Sequence, residues 1–297
     1  MKKAALIHSN ATPQARHFLN RWVFGIWFLI ILMDSFPDLA QLPQEMFQTT
    51  GILTIPFSHG YLTQPVLWIL KAGLMVFLAA AFLEVRFMIT ASVACFLLTV
   101  HQGLIRGFGH VNHGEIVLLL AAYLLSVFAV ADYIAYGKNG RVPAGINLNS
   151  IPLISILAVM CFTYSFVGIH RLIFSGLELF TTDTILYHVL INSLISDTWH
   201  FQLHELVLRH AWVSMLFKIG FLILTFFEAL APLCLISRWF RYAFVVVMVP
   251  FHFLSGIFLG VFFWQTLVLY MLFFDFSNIL NRISMDKIRA VLGVSRA

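Results

Sequence analysis

The stretch Leu98-Thr-Val-His101-Gln-Gly-Leu-Ile-Arg106-Gly-Phe-Gly-His110-Val-Asn112-His113-Gly-Glu115 runs directly into an apolar segment that ends at Asp132. It sets two histidines, an arginine, an asparagine and a glutamate into a short turn between two hydrophobic spans. Polar groups at membrane depth are costly, so they favour a protein interior or a wet cavity and tend to be functional. Gly103, Gly107, Gly109 and Gly114 are read as the residues that let the backbone turn there. The alternative is a plain connecting turn with its histidines at headgroup level.

Composition makes the surroundings of that turn a membrane. The 297 residues are 61% hydrophobic and only 10% charged, with 31 Phe, and the mean hydropathy is +0.91. A soluble domain carries roughly 25% charged residues. The formal charge of +5 therefore says nothing of nucleic acid, and no nucleic-acid partner is expected. What matters is where the positive charges fall relative to the bilayer. Cys95, Cys161 and Cys234 lie in separate apolar runs, which suits buried thiols better than disulfides or a zinc site. The first apolar run, near Phe18, has no small-residue cleavage site behind it and reads as a retained span.

Outward from the central turn, the sequence reads as an all-α, polytopic helical bundle of eight transmembrane spans. Residues 1–17 form a cytoplasmic lead, 18–278 the transmembrane domain and 279–297 a basic cytoplasmic tail. Spans are expected at 18–36, 65–84, 87–105, 115–135, 151–173 and 211–236, each long enough at ~1.5 Å per residue to cross a ~30 Å core. The run 242–278 is taken as two short crossings bent near Gly256 and Gly260, with a re-entrant hairpin as the other possibility. Residues 174–210 are too polar to span and are expected to form helices lying on the outer face. A Gly/Asn/Pro-containing loop with Lys138 and Arg141 marks a hinge between halves 18–136 and 150–278. In this arrangement thirteen Lys and Arg fall inside, three (Arg106, Arg171, Arg209) outside and two (Lys71, Lys218) within spans. That asymmetry places both termini in the cytoplasm, and a bacterial inner membrane is the expected location. A seven-span version would strand the basic tail outside.

Ten of the twelve histidines then lie on or near the outer half. His110 and His113 are three apart, and His200 and His204 are four apart on one helix face. Either pair could ligate a transition metal, His200 and His204 being the metal candidates, yet no HExxH or other complete ligand set is present. His252 sits deep in Val-Met-Val-Pro250-Phe-His252-Phe-Leu-Ser255-Gly256. It could satisfy the backbone carbonyl that Pro250 frees, or act as a proton carrier facing a cavity. Glu228, in another apolar run, needs a cation; Lys71 and Lys218 are available, although each lies near a span end and could snorkel. The seven Trp mostly fall near span ends, as an interfacial belt. There is no Walker loop, dinucleotide fingerprint, nucleophile elbow or CxxC, which argues against ATP-driven transport and thioredoxin-like chemistry.

Several of these residues come in a familiar order: Arg21 and Gly25 opening the first span, Asp34 at its end, Gly51 in the outer loop and Arg86 opening the third span. Asn112-His113 follows, then Tyr164 with Gly168 and a basic residue, then Phe251-His252. From about Arg16 to Asn278 the chain resembles the HTTM (horizontally transferred transmembrane) family, which includes the vitamin K-dependent gamma-glutamyl carboxylases. The resemblance implies a membrane-embedded enzyme acting on a quinone-like, lipidic or peptide substrate in an outer-leaflet cavity, with a reduced quinone as the implied cofactor. The carboxylases use a lysine shortly before the Asn-His pair as the base. Here Gly107 stands six residues before His113, with Arg106 one place earlier, and arginine is a poor base. The sequence also has no counterpart of the carboxylases' large lumenal propeptide-binding domain, so glutamate carboxylation is not expected. On this reading His110, His113, His252 and Arg106 do acid–base work, and Asn112, Glu115, Tyr164, His170, Arg171 and Glu228 hold the substrate. The other readings are a non-catalytic membrane partner in the maturation, export or immunity of a secreted peptide, and a His-ligated metal enzyme.

Overall fold

The computed structural model describes residues 7–8, 11–49, 57, 62–109, 113–137, 147–195, 203–259 and 262–276. All regular elements among the described residues are helical. They form two compact units, one holding the described part of 157–275 with Ile7, the other that of 8–156 with Phe276.

In the second of these, four helices follow one another: α1 (Pro13–Met33), α2 (Gln64–Phe82), α3 (Phe87–Gly107) and α4 (Ile116–Tyr136). Consecutive helices pack together, and α1 also packs on α4. Thr12 caps α1 by accepting from the amide of Ala15 at 3.3 Å, with Pro13 in the first turn where its missing N–H costs nothing. A tight turn, 83–86, joins α2 to α3, with Glu84 and Arg86 in the left-handed region (φ 58° and 46°). The strain is offset by what Glu84 then reaches: its carboxylate accepts from Asn20 at 3.1 Å, pairs with Arg21 at 3.3 Å and meets His17 at 2.8 Å. Two 3₁₀ turns, Phe36–Gln41 and Gln44–Met46, follow α1 and lead Phe47 and Gln48 onto the end of α3, where the Gln48 amide donates to the Gly107 carbonyl at 2.8 Å.

The glycines of the opening stretch divide differently from the sequence expectation. Gly103 and Gly107 are inside α3, and the turn begins after them, at Gly109 (φ +82°). Gly107 is needed for another reason: a Cβ there would fall 2.2 Å from the Phe47 ring and 2.8 Å from the Gln48 carbonyl oxygen.

The other unit begins partway along α5 (Ser150–Phe174) and continues through the short helices α6 (Glu178–Thr181), α7 (Thr184–Ile195) and α8 (Leu203–Arg209). It is completed by α9 (Ala211–Ala229), α10 (Arg238–Leu259), α11 (Trp264–Leu267) and a 3₁₀ turn, Tyr270–Phe273. Among the described residues six helices are long and apolar enough to cross a membrane: α2, α3, α4, α5, α9 and α10. They are apolar on their exposed faces too, as at Ile134 (77% exposed), Phe166 and Val246, a pattern that suits lipid as the outer solvent. In the Ala211–Ala229 helix only 17% of the residues are buried in the chain. Helix α1 has the length but carries His17, Asn20 and Arg21 in its first half, and is not among the six. The final apolar run, read as two crossings, contains one 22-residue helix, α10, and then short pieces spanning Trp264–Phe273. The three cysteines are free and buried, as the sequence suggests.

Helix α5 meets α9 backbone to backbone. A Cβ at Gly168 would lie 2.4 Å from the Ala229 nitrogen, and Ser165 donates to the Ala229 carbonyl at 2.9 Å. Gly168→Ala is therefore expected to lower stability by about 1–3 kcal/mol, since rigid backbone stands where the methyl must go. The control is Gly73→Ala on α2, where nothing lies within 4 Å of the added Cβ; it should leave the thermal unfolding midpoint in detergent unchanged or raised.

Candidate functional site

Helix α5 presents Tyr164, Gly168 and Arg171 at i, i+4 and i+7, one stripe along one face. Gly168 lets that face approach α9, and the two side chains flanking it find their partners accordingly.

Below the contact, Arg171 donates to Glu228 at 2.5 Å and to the Thr225 hydroxyl at 3.2 Å. Its guanidinium also lies 4.7 Å over the Phe221 ring. Glu228 is 3% exposed, so its charge depends on this partner. Neither lysine proposed for it serves. Lys218 pairs with Asp183 at 2.7 Å. Lys71 does not snorkel; it is buried and donates to the carbonyls of Leu32 and Asp34 at the end of α1. Arginine reaches where those lysines do not, and its planar fork suits a buried carboxylate better.

Above the contact, Tyr164 meets His252. The Tyr164 hydroxyl lies 2.7 Å from Nε2 of His252, the Tyr270 hydroxyl lies 3.1 Å from the same nitrogen, and Tyr270 donates to Tyr164 at 2.8 Å. All three residues are buried. Phe244 packs on both tyrosines, and the Phe251 and Phe263 rings flank the imidazole at 5.5 and 5.4 Å. His252 thus does not spend itself on a carbonyl freed by Pro250; its hydrogen bonds go to two phenols, and its Nδ1 is buried without a partner.

A count of hydrogens assigns the tautomer. The triangle holds two hydroxyl hydrogens and one ring hydrogen. With the ring hydrogen on Nδ1, Tyr270 donates to Tyr164 and Tyr164 to Nε2, leaving Nδ1–H as the one unmatched group. With it on Nε2, one hydroxyl hydrogen and a bare Nδ1 both go unmatched. Each unmatched buried group costs about 1–3 kcal/mol, so the first arrangement is favoured. A neutral imidazole then carries an N–H donor amid buried aromatic rings, the kind of donor by which neutral histidines polarise an oxygen in enzymes.

The remaining sequence candidates are placed as follows. His170 is exposed, with its ring 4.2 Å from that of Phe174, and takes no part in the Arg171 pair. Glu115 is buried and accepts from Gln102 at 2.6 Å. Arg106 stands in the last turn of α3, its Nε buried with no hydrogen-bond partner among the described residues. His110, Asn112 and His200 lie outside the described residues, as do the side chains of His113 and His204. Among the described residues no group of three His, Cys, Asp or Glu could hold a metal. Tyr270 is the participant that sequence reading missed. It stands 18 residues beyond His252 in a run that reads as a crossing, and no spacing rule singles it out.

No family model, curated protein or solved structure matches the chain. Its composition and the six long apolar helices among the described residues, which are all-helical in their regular structure, make it a membrane protein.

Arg171→Met should cost about 3–5 kcal/mol, because it leaves the Glu228 charge buried alone. The double variant Arg171→Met/Glu228→Met should recover most of that loss. Unfolding midpoints and detergent-solubilised yields of the three proteins check this, and an Arg171→Met protein as stable as the parent would contradict it.

Proposed function

We propose that the chain is a membrane-embedded enzyme of the HTTM type, acting on a quinone-like, lipidic or peptide substrate and not carboxylating glutamate. One observation carries the reading: His252, clasped by Tyr164 and Tyr270 inside an apolar core, with Nδ1 buried and unpartnered. A purely structural imidazole at this depth would use both nitrogens, since each unmet group is costly. An N–H at Nδ1, on a ring flanked by Phe251 and Phe263, is the kind of donor that a carbonyl oxygen of a quinone, ester or amide accepts from. Tyr164 and Tyr270 stand behind it as a file of hydroxyls that can replace a proton passed to substrate. Against carboxylation stands Gly107, where a lysine would need space that Phe47 and Gln48 already fill.

The test compares membranes of a bacterial host carrying the parent chain, Tyr164→Phe, His252→Gln or an empty vector, with lipid-soluble extracts resolved by mass spectrometry. The parent should deplete one compound and build up another. Both variants, present at parental levels, should do so about a hundredfold less, the usual weight of general acid–base catalysis. If parent and variants alter the extract equally, catalysis at this cluster is excluded and the non-catalytic partner reading takes its place.

In this reading the chain crosses the bilayer eight times, α1 and the whole apolar stretch that follows α10 as far as residue 278 serving as crossings besides the six long helices, with both termini cytoplasmic. The distribution of Lys and Arg supports it. Single cysteines placed at Lys3 and at Arg289 in a chain without Cys95, Cys161 and Cys234 should react with an impermeant maleimide only in inverted vesicles. Reaction of Arg289→Cys from the outside would point to an odd number of crossings.

A further inference from the structure

The unit formed by α1–α4 carries a second cluster, built from Asp34 just past α1, Lys71 on α2 and His101 on α3. Nε2 of His101 lies 2.7 Å from the Asp34 carboxylate. The imidazole is 1% exposed and packs with its centroid 4.6 Å from that of Phe36. Phe36 belongs to an apolar cluster with Leu62, Leu67, Val100 and Leu104. Lys71, also buried, donates to the Asp34 and Leu32 carbonyls, where the C-terminal end of α1 favours a cation.

Charge and geometry together decide which way this imidazole faces. A carboxylate only accepts, so the ring hydrogen sits on Nε2 and points at Asp34. Nδ1 is left with a bare lone pair, and it is buried with no hydrogen-bond partner. Lys71 and Asp34 balance each other, so the neutral ring leaves the cluster uncharged. A protonated ring would leave it at +1 with the imidazole and Lys71 buried and Asp34 only about a quarter exposed, unless an anion forms beside it.

We propose that Asp34 and His101 form a general-base dyad that takes the proton of a neutral hydroxyl ligand seated at Nδ1. In the step the ligand's O–H bond breaks, an N–H bond forms at Nδ1, and the electron pair stays on oxygen. The products are an oxyanion and an imidazolium that neutralise each other, while Asp34 stabilises the imidazolium, as carboxylates do behind catalytic histidines. Asp34 is a positioning residue, and Lys71 anchors the Asp34 backbone and supplies the balancing charge. The site is independent of the His252 cluster and stands or falls apart from it.

The experiment uses the full chain in lipid nanodiscs with ¹⁵N-labelled histidine, His101 being assigned from the His101→Gln spectrum. In the ligand-free protein Nδ1 of His101 should show a pyridine-type resonance and Nε2 a pyrrole-type one. Titration with phenol should shift Nδ1 saturably. Toluene, close in shape but with a methyl in place of the hydroxyl, should bind about tenfold more weakly, the weight of one net hydrogen bond. Asp34→Asn lets an amide donate to Nε2 and moves the ring hydrogen to Nδ1, so phenol binding should drop by a similar factor with the fold intact. A pyrrole-type Nδ1 in the parent protein would overturn the proposal whatever the variants do, as would toluene binding equal to phenol binding.

Discussion

A carboxylate buried in an apolar helix persists only if a cation is held against it, and Glu228 with Arg171 at 2.5 Å meets that demand. The pair fixes more than itself. For the guanidinium on α5 to reach α9 at this distance, the two backbones must nearly touch, which Gly168 permits against Ala229. The same approach fixes the roll of α5, and with it the direction of Tyr164, seven residues before Arg171 on the same stripe. A residue of any size at 168 would disturb the ion pair on one side and the phenol–imidazole contact on the other. Structural pairing and candidate chemistry therefore share one constraint.

Much of this was legible in the sequence because membrane depth makes polar residues conspicuous. Glu228 and His252 stand out in apolar runs, and Tyr164, Gly168 and Arg171 reveal their common face through helical spacing. What the sequence hid was pairing across helices. The distribution of Lys and Arg puts Arg171 on the outer side, so from sequence the lysines look like the natural partners of Glu228. Only the packing of α5 on α9 shows that arginine is the one within reach. Tyr270 was hidden for a different reason: the apolar run after Gly260 has the composition of a crossing, yet its described part folds as short helical pieces, and the tyrosine is carried back to His252. Apolar content measures affinity for lipid; it does not say how often a segment breaks.

Gly107 shows the limit of reading glycine as a turn signal. In the sequence it belongs to a group of four that seemed to loosen the backbone. In the structure it lies inside α3, pressed by Phe47 and Gln48, and what it supplies is the absence of a side chain. Any side chain there would displace the segment that follows the Gln44–Met46 turn from the end of α3, together with the Gln48–Gly107 hydrogen bond. The absence of a side chain at 107 is thus tied to how the loop after α1 is seated.

The two buried imidazoles carry the last step of the argument. Each is held through Nε2, and each leaves Nδ1 buried and without a partner. Their partners differ, and that difference reverses their polarity. Phenol hydroxyls can donate, so His252 receives at Nε2 and offers a hydrogen at Nδ1. A carboxylate cannot donate, so His101 gives at Nε2 and keeps a lone pair at Nδ1. In the proposed roles, one ring would supply a proton or polarise an oxygen and the other would remove a proton. Environments that drive like groups toward opposite roles are how a protein obtains an acid and a base from the same side chain near neutral pH. Nothing about the imidazole itself distinguishes the two; the neighbours chosen by the fold, Tyr164 and Tyr270 in one case and Asp34 in the other, do.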